Sequence, residues 1–141
     1  MTARILVPDA SVLLKWVLNS SDEPDRERAV AFRSAWLEGE FELLVPSIWA
    51  YEVGNVLGLK APRQASKLLE LLLALDLKEV SASEIAATAL SLMGRYKVTF
   101  YDAAYHASAI VHEGTLVTAD ARYLKKTAAE RHAVLLRDWK G

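Results

Sequence analysis

Residues 5–18 read Ile5-Leu6-Val7-Pro8-Asp9-Ala10-Ser11-Val12-Leu13-Leu14-Lys15-Trp16-Val17-Leu18. The first three do not alternate with polar residues, so Ile5 to Val7 reads as a strand buried on both faces. Pro8 ends it, where a missing ladder donor is tolerable. Asp9 follows at once, and a helical stretch runs from Ala10 to about Leu18. The same grammar returns at Leu43-Leu44-Val45, which ends in Pro46 and leads into a helix from about Ser47 to Leu59. Leu116-Val117-Thr118 is a further run of this kind, followed by Ala119, Asp120 and a helix from about Ala121 to Arg131.

The intervening segments complete the pattern. Ser21-Asp22-Glu23-Pro24 offers capping side chains and a first-turn proline, which predicts a helix to about Glu38, stopped by Gly39. Ala29, Phe32 and Trp36 share one of its faces. Pro62 separates the Ser47 helix from another over Arg63 to Leu75. Leu77 to Val80 reads as a strand, Ser83 to Tyr96 and Tyr101 to Glu113 as helices, and Val134-Leu135-Leu136 as the last strand. Strands alternating with helices require crossover connections, hence a three-layer α/β/α fold around a central, mostly parallel sheet. No repeat or linker interrupts the 141 residues, so a single domain over 1–141 is expected, hiding about two-thirds of the chain's surface.

Composition narrows the function classes. Hydrophobic residues make up 52% and charged residues 25%, which fits a globular fold rather than a disordered one. The absence of cysteine excludes a disulfide scaffold, a thiolate metal site and a cysteine nucleophile, and is compatible with a cytoplasmic location. Asp9 and Lys15 interrupt the apolar start, which makes a poor signal peptide. No apolar run approaches the length that spans a membrane. The net charge of −1 argues against coating nucleic acid by bulk positive charge. Residues 1–60 carry 9 acids and 6 bases, and residues 61–141 carry 9 acids and 11 bases, which leaves room for a local basic rim.

Four carboxylates stand at informative places. Open parallel sheets bind ligands beyond the carboxyl ends of their strands, where Asp9 and Asp120 both fall; each also suits a helix N-cap. Asp102, in Thr99-Phe100-Tyr101-Asp102, fits a capping box as well. Glu52 differs. On a helical wheel it falls inside the arc of Ile48, Trp49, Val56 and Leu59, with Asn55 at the edge. A carboxylate on an apolar helix face is costly unless paired or coordinated, so either a buried Arg or Lys or a cation is required. Taken together, the four acids point to a hard divalent cation, Mg²⁺ or Mn²⁺. That chemistry suits phosphodiester hydrolysis.

Other chemistries find little support. Ser11 and Ser108 lack the Gly-x-Ser-x-Gly setting. His106, His112 and His132 form no His-Glu-x-x-His pattern and read as surface or packing residues. Gly54 and Gly58, four apart, read as close helix packing. Arg122, Lys125 and Lys126 follow Asp120 within two turns, placed either to meet nucleic-acid phosphates or as a solvated helix face. Leu68, Leu69, Leu71, Leu72, Leu73 and Leu75 exceed one helix stripe. They mark either a helix buried on several sides or a surface for a partner, with Trp16 as a possible contributor.

The ordered segments Val7-Pro8-Asp9-Ala10-Ser11, Pro46-Ser47 with Glu52 and Asn55, Tyr101-Asp102-Ala103-Ala104-Tyr105, and Val117-Thr118-Ala119-Asp120 resemble the PIN domain family, in particular its VapC-type toxins. The resemblance covers nearly the whole chain and implies a PIN-like fold and a metal-dependent endoribonuclease using Mg²⁺ or Mn²⁺. By position, Asp9 and Asp102 would be the principal metal ligands. Glu52 would complete the site directly or through water, and Asp120 would hold a second metal or orient the attacking water. Ser11, Asn55 and Thr118 would support these ligands. The resemblance further implies an RNA substrate (tRNA or another structured RNA), a cognate VapB-type antitoxin and a homodimer. An RNA-maturation nuclease that is not a toxin and a non-catalytic PIN-like interaction module are alternatives within this frame. A phospho-acceptor receiver domain is the alternative outside it.

Overall fold

The structure, a computed structural model, describes residues 4–18 and 23–141. Its strands are β1 (Ile5–Pro8), β2 (Glu42–Pro46), β3 (Lys78–Val80), β4 (Thr115–Thr118) and β5 (Ala133–Leu135). They form one sheet in the order β3-β2-β1-β4-β5, with every pairing parallel. The proline-ended and threonine-ended triplets take its three central places. Leu6, Val7, Leu43, Leu44, Val45, Leu116 and Val117 are accordingly buried, as a sheet covered on both faces demands.

Among the described residues seven α-helices connect the strands: α1 (Ala10–Val17), α2 (Arg26–Leu37), α3 (Trp49–Lys60), α4 (Ala65–Leu73), α5 (Ala82–Tyr96), α6 (Phe100–Val111) and α7 (Ala121–Lys126). From β1 the chain winds outward to β3, then returns past β1 to β4 and β5. With right-handed crossovers this places α1 to α4 on one face and α5 to α7 on the other. α1 packs on α2, α3, β1 and β4, while α6 lies across β1, β2 and β4. The winding reverses between β1 and β4, so a crevice opens at their carboxyl ends, where open α/β sheets bind ligands.

Local chemistry moves several boundaries. The expected start at Ser21-Asp22 lies outside the described residues. α2 itself begins at Arg26, because Asp25 before it takes a left-handed conformation (φ 58°). Gly39 (φ 81°) ends the turn that follows α2. α7 stops at Lys126 rather than near Arg131, since the Thr127 hydroxyl donates back to the Tyr123 carbonyl at 2.9 Å and caps the helix. The buried face of α3 is Trp49, Val53 and Leu57, not the arc around Glu52, and Leu59 is 77% exposed. Glu52 therefore sits on the shoulder of that helix. Gly54 admits α4: a Cβ there would lie 3.4 Å from Leu69, whereas Gly58 faces open space.

Trp16 also departs from expectation. It is 3% exposed, stacks on Trp36 with centroids 6.1 Å apart and donates its indole N–H to the Ala29 carbonyl at 2.9 Å. An indole needs such a partner when buried, and this one makes Trp16 a core residue rather than part of a partner surface. Phe32, Phe41 and Trp139 extend the aromatic cluster to the end of the chain. On the α4 face Leu72 is buried but Leu71 and Leu73 are exposed, so the leucine excess does leave apolar surface uncovered.

His106, fully buried in α6, fastens α6 to α7. Its Nε2 faces the Arg131 carbonyl and its Nδ1 the Tyr123 hydroxyl, each at 2.8 Å. A carbonyl only accepts, so Nε2 carries the proton and Nδ1 accepts from the phenol. Burial holds the imidazole below its ordinary pKa, hence neutral. The pair fixes the angle between the helices that carry Asp102 and Asp120. Replacing His106 by Ala should cost about 2–4 kcal/mol, because it opens a cavity and strands the Tyr123 hydroxyl. Urea unfolding reads this directly; an unchanged midpoint would mean the clamp carries no load.

Candidate active site

Asp9 leaves β1 and caps α1. Its Oδ1 accepts the Val12 N–H at 3.3 Å and the Ser11 hydroxyl; its Oδ2 accepts the Thr118 hydroxyl from β4. The two hydroxyls are held in turn. The Ala119 N–H donates to Ser11 Oγ and the Asp120 N–H to Thr118 Oγ1, each at 3.0 Å. The Asp9 N–H adds a bond to the Val117 carbonyl at 3.1 Å. Asp120 caps α7 by accepting from the Arg122 and Tyr123 N–H groups at 3.0 and 3.2 Å. Capping and a seat at the strand ends thus coincide for both residues.

Glu52, in the first turn of α3, and Asp102, in the first turn of α6, face this stitch across the crevice. Thr99 caps α6 by accepting the Asp102 N–H at 3.1 Å. A full capping box forms at Ser81 and Glu84, but Asp102 is not enlisted in one. Among the described residues no Arg or Lys pairs with Glu52, whose Oε2 is buried without a hydrogen-bond partner there. Burial, with Asp102 and Asp9 adding repulsion, pushes the Glu52 carboxyl up to about 7. Burial raises Asp9 to about 6, against the opposing hydrogen bonds of Ser11, Thr118 and Val12. Asp102 is raised too, by desolvation and then by Asp120. Asp9, Glu52 and Asp102 therefore feel one another, and Asp120 joins them through Asp102.

Two residues that sequence reasoning did not single out belong to the surroundings. Tyr105 is 1% exposed, and its hydroxyl lies without a partner among the carboxylates of Glu52, Asp9 and Asp102. Burial, then those charges, raise the phenol far above its ordinary pKa. Its spacing of three from Asp102, one helical turn, was the available signal. Lys97, left-handed at the end of α5 (φ 57°), joins Arg122, Lys125 and Lys126 around a hollow of about 580 Å³ that also contains Asp102 and Asp120. Asn55 is exposed on the other side, in a hollow with Tyr51, Glu52, Tyr101 and Asp102.

The donor set is oxygen-only and mutually repelling, and it includes the orphaned Glu52 Oε2. It fits a hard divalent cation, which would neutralise the repulsion and satisfy that atom. Among the described residues no three such groups close into a ready-made cage; Mg²⁺ keeps several waters and takes one or two carboxylates directly.

Residues 6–130 match the PIN domain family profile. The chain belongs to the PIN domain family. No curated protein matches it by sequence, but solved structures do. PAE2754 from Pyrobaculum aerophilum is 25% identical with a TM-score of 0.67, over 96% of this chain and 85% of that one. A toxin–antitoxin complex from Klebsiella pneumoniae contains a chain 21% identical, TM-score 0.68, over 93% and 97%. VapC20 of Mycobacterium tuberculosis, a sarcin-ricin loop cleaving toxin, is 12% identical, TM-score 0.64, over 88% and 94%. A receiver-like order would be 2-1-3-4-5, whereas this PIN chain has 3-2-1-4-5, so the receiver alternative falls.

The raised carboxyls make a signed prediction. The folded protein holds the Glu52 proton more tightly than the unfolded chain, so this group lowers stability as pH rises from the ordinary carboxylate range through about 7. In EDTA, Glu52→Gln should melt on the order of a few degrees above wild type at pH 8, with the gap closing towards pH 5. A gap independent of pH would show that Glu52 is not strained by burial. Tyr105→Phe deletes an unpartnered buried hydroxyl and should raise the metal-free melting temperature by about 2–4 °C. A fall would reveal a partner for the phenol.

Proposed function

We propose that this PIN chain is a metal-dependent endoribonuclease, the toxin of a toxin–antitoxin pair. The observation that carries the reading is the meeting of Asp9, Glu52 and Asp102, with Asp120 at the lip, at the sheet's switch point beside a four-cation hollow. Asp9 and Asp102 are the principal ligands for Mg²⁺ or Mn²⁺, Glu52 Oε2 joins directly or through water, and Asp120 serves a second ion or the attacking water. A cation held there would supply Lewis-acid chemistry for phosphodiester hydrolysis, lowering the pKa of a water and offsetting charge on the leaving oxygen.

The chain's own residues supply the rest. Ser11 and Thr118 hold both Asp9 oxygens, so that ligand does not turn away between rotamers. Arg122, Lys125, Lys126 and Lys97 bind substrate phosphates on one side of Asp102 and thereby place the scissile bond. Asn55 sits at the other side. tRNA or another structured RNA is the substrate class, and a cytoplasmic location goes with it. No helix among the described residues is long and apolar enough to cross a membrane.

An antitoxin of VapB type and a second copy of the chain are the proposed protein partners. The toxin–antitoxin complex among the structural neighbours supports the first, and the exposed Leu59, Leu71 and Leu73 on α3 and α4 supply apolar surface for either. An RNA-maturation role uses the same acids and differs in the absence of growth arrest on induction.

The test is cleavage of total RNA by purified, antitoxin-free protein in Mg²⁺, Mn²⁺ or EDTA. Discrete fragments are expected with either ion, none in EDTA, and at least a 100-fold loss in Asp9→Asn and Asp102→Asn. Fragments that persist in the Asp9→Asn protein would place the activity elsewhere. No cleavage by a protein whose melting temperature rises with Mn²⁺ would favour the interaction-only alternative.

A further inference from the structure

Asp102 stands between two hollows of opposite character. On one side lies the hollow of about 580 Å³ with Lys97, Arg122, Lys125 and Lys126 on its walls. On the other lies one of about 470 Å³, formed by Ile48, Tyr51, Glu52, Asn55, Tyr101 and Asp102. None of the residues that line the second is basic. It presents two aromatic rings instead, from Tyr51 at 77% and Tyr101 at 57% exposure, with the Asn55 amide beside them. An apolar trough continues from the two rings onto Val80, Ile85 and Phe100.

We infer that the aromatic hollow is a base-stacking subsite for an unpaired nucleotide adjoining the scissile phosphate. This rests on the endoribonuclease reading. A strand whose phosphate sits at Asp102 extends into both hollows. Its phosphates beyond Asp102 meet four cations on one side, while the lining of the other side has no basic side chain and its two acids are taken up by the metal, so a further phosphate is left without a partner there. A base is not: every base has a π-face that stacks on tyrosine, and an amide is suited to its edge. In a duplex those faces are stacked and paired. The hollow therefore selects loops, bulges and single strands, whose bases can be splayed out. The continuity through Asp102, shared by both hollows, favours RNA over an apolar peptide as the occupant.

The test uses Tyr51→Ala, Tyr51→Phe, Tyr101→Ala and Tyr101→Phe in the full chain, each checked for unchanged folding by circular dichroism. The probe is a fluorescein-labelled, mixed-sequence single-stranded RNA of about eight nucleotides, followed by anisotropy in EDTA so that it is not cut. Each alanine variant should weaken binding by about 10-fold, while each phenylalanine variant restores it, since the ring stacks without its hydroxyl. A blunt duplex of the same sequence should respond to neither tyrosine. Alanine variants that bind the single strand like wild type would overturn the subsite. Loss of self-association or antitoxin binding with unchanged RNA affinity would overturn it in favour of a protein-contact face. Wild type that neither binds nor cuts any RNA would fail the endoribonuclease reading itself, an outcome distinct from a wild type that binds RNA with its tyrosines indifferent.

Discussion

The carboxylate of Asp9 accepts hydrogen bonds from its own helix and from a strand 109 residues away. Through Ser11 and Thr118 it also reaches the backbone of Ala119 and Asp120. One side chain thus fixes the end of β1, the start of α1, the end of β4 and the approach to α7. Everything that faces the crevice is placed relative to it. Parallel strands alone would bring β1 and β4 together, but their ends would be free to splay where the ladder stops. The polar stitch closes that gap with charge-assisted bonds, which are stronger than neutral ones.

The same crevice is electrostatically uncomfortable. Hydrogen bonds to the charged form of Asp9 oppose the cost of its burial and do not cancel it. Glu52 has no such help, since its Oε2 is unpartnered and Asp102 and Asp9 both repel it. A fold selected for stability alone would place an amide or an apolar residue there. The His106–Tyr123 contact and the α5–α6 packing hold the acids in place regardless. Stability made elsewhere in the core is thereby traded for a site that attracts positive charge, the usual relation between strained sites and their scaffolds.

Much of this was legible in the residues. Three unalternating apolar triplets, two of them ended by proline, located the central strands, and the acids after them marked the functional edge. What was not legible depends on partners remote in sequence. The wheel of α3 misplaced its buried stripe because Leu59 is apolar yet largely exposed, and helix periodicity cannot report which apolar side meets a neighbour. Trp16 read as available surface because the Ala29 carbonyl that receives its indole N–H belongs to another helix. The early stop of α7 comes from the hydroxyl of Thr127 bonding back to Tyr123, a local competition that propensity averages away. Tyr105 was hidden in an alanine-rich helix whose pattern speaks only of packing. Its hydroxyl matters only because the carboxylates of Asp9 and Glu52, from other elements, join that of Asp102 around it.

The long reach of the Asp9 stitch bears on how the molecule comes into being. Contacts between distant parts of a chain form late, because their closure entropy must be met before they stabilise anything. During synthesis β1, α1 and α3 emerge early, and so do Asp9 and Glu52. Thr118 and Asp120 leave the ribosome more than 100 residues after Asp9. Until then the sheet lacks its β4 strand and Asp9 lacks the bond that orients it. The crevice is consequently assembled only after β4 has emerged, and before that its four acids are not held together.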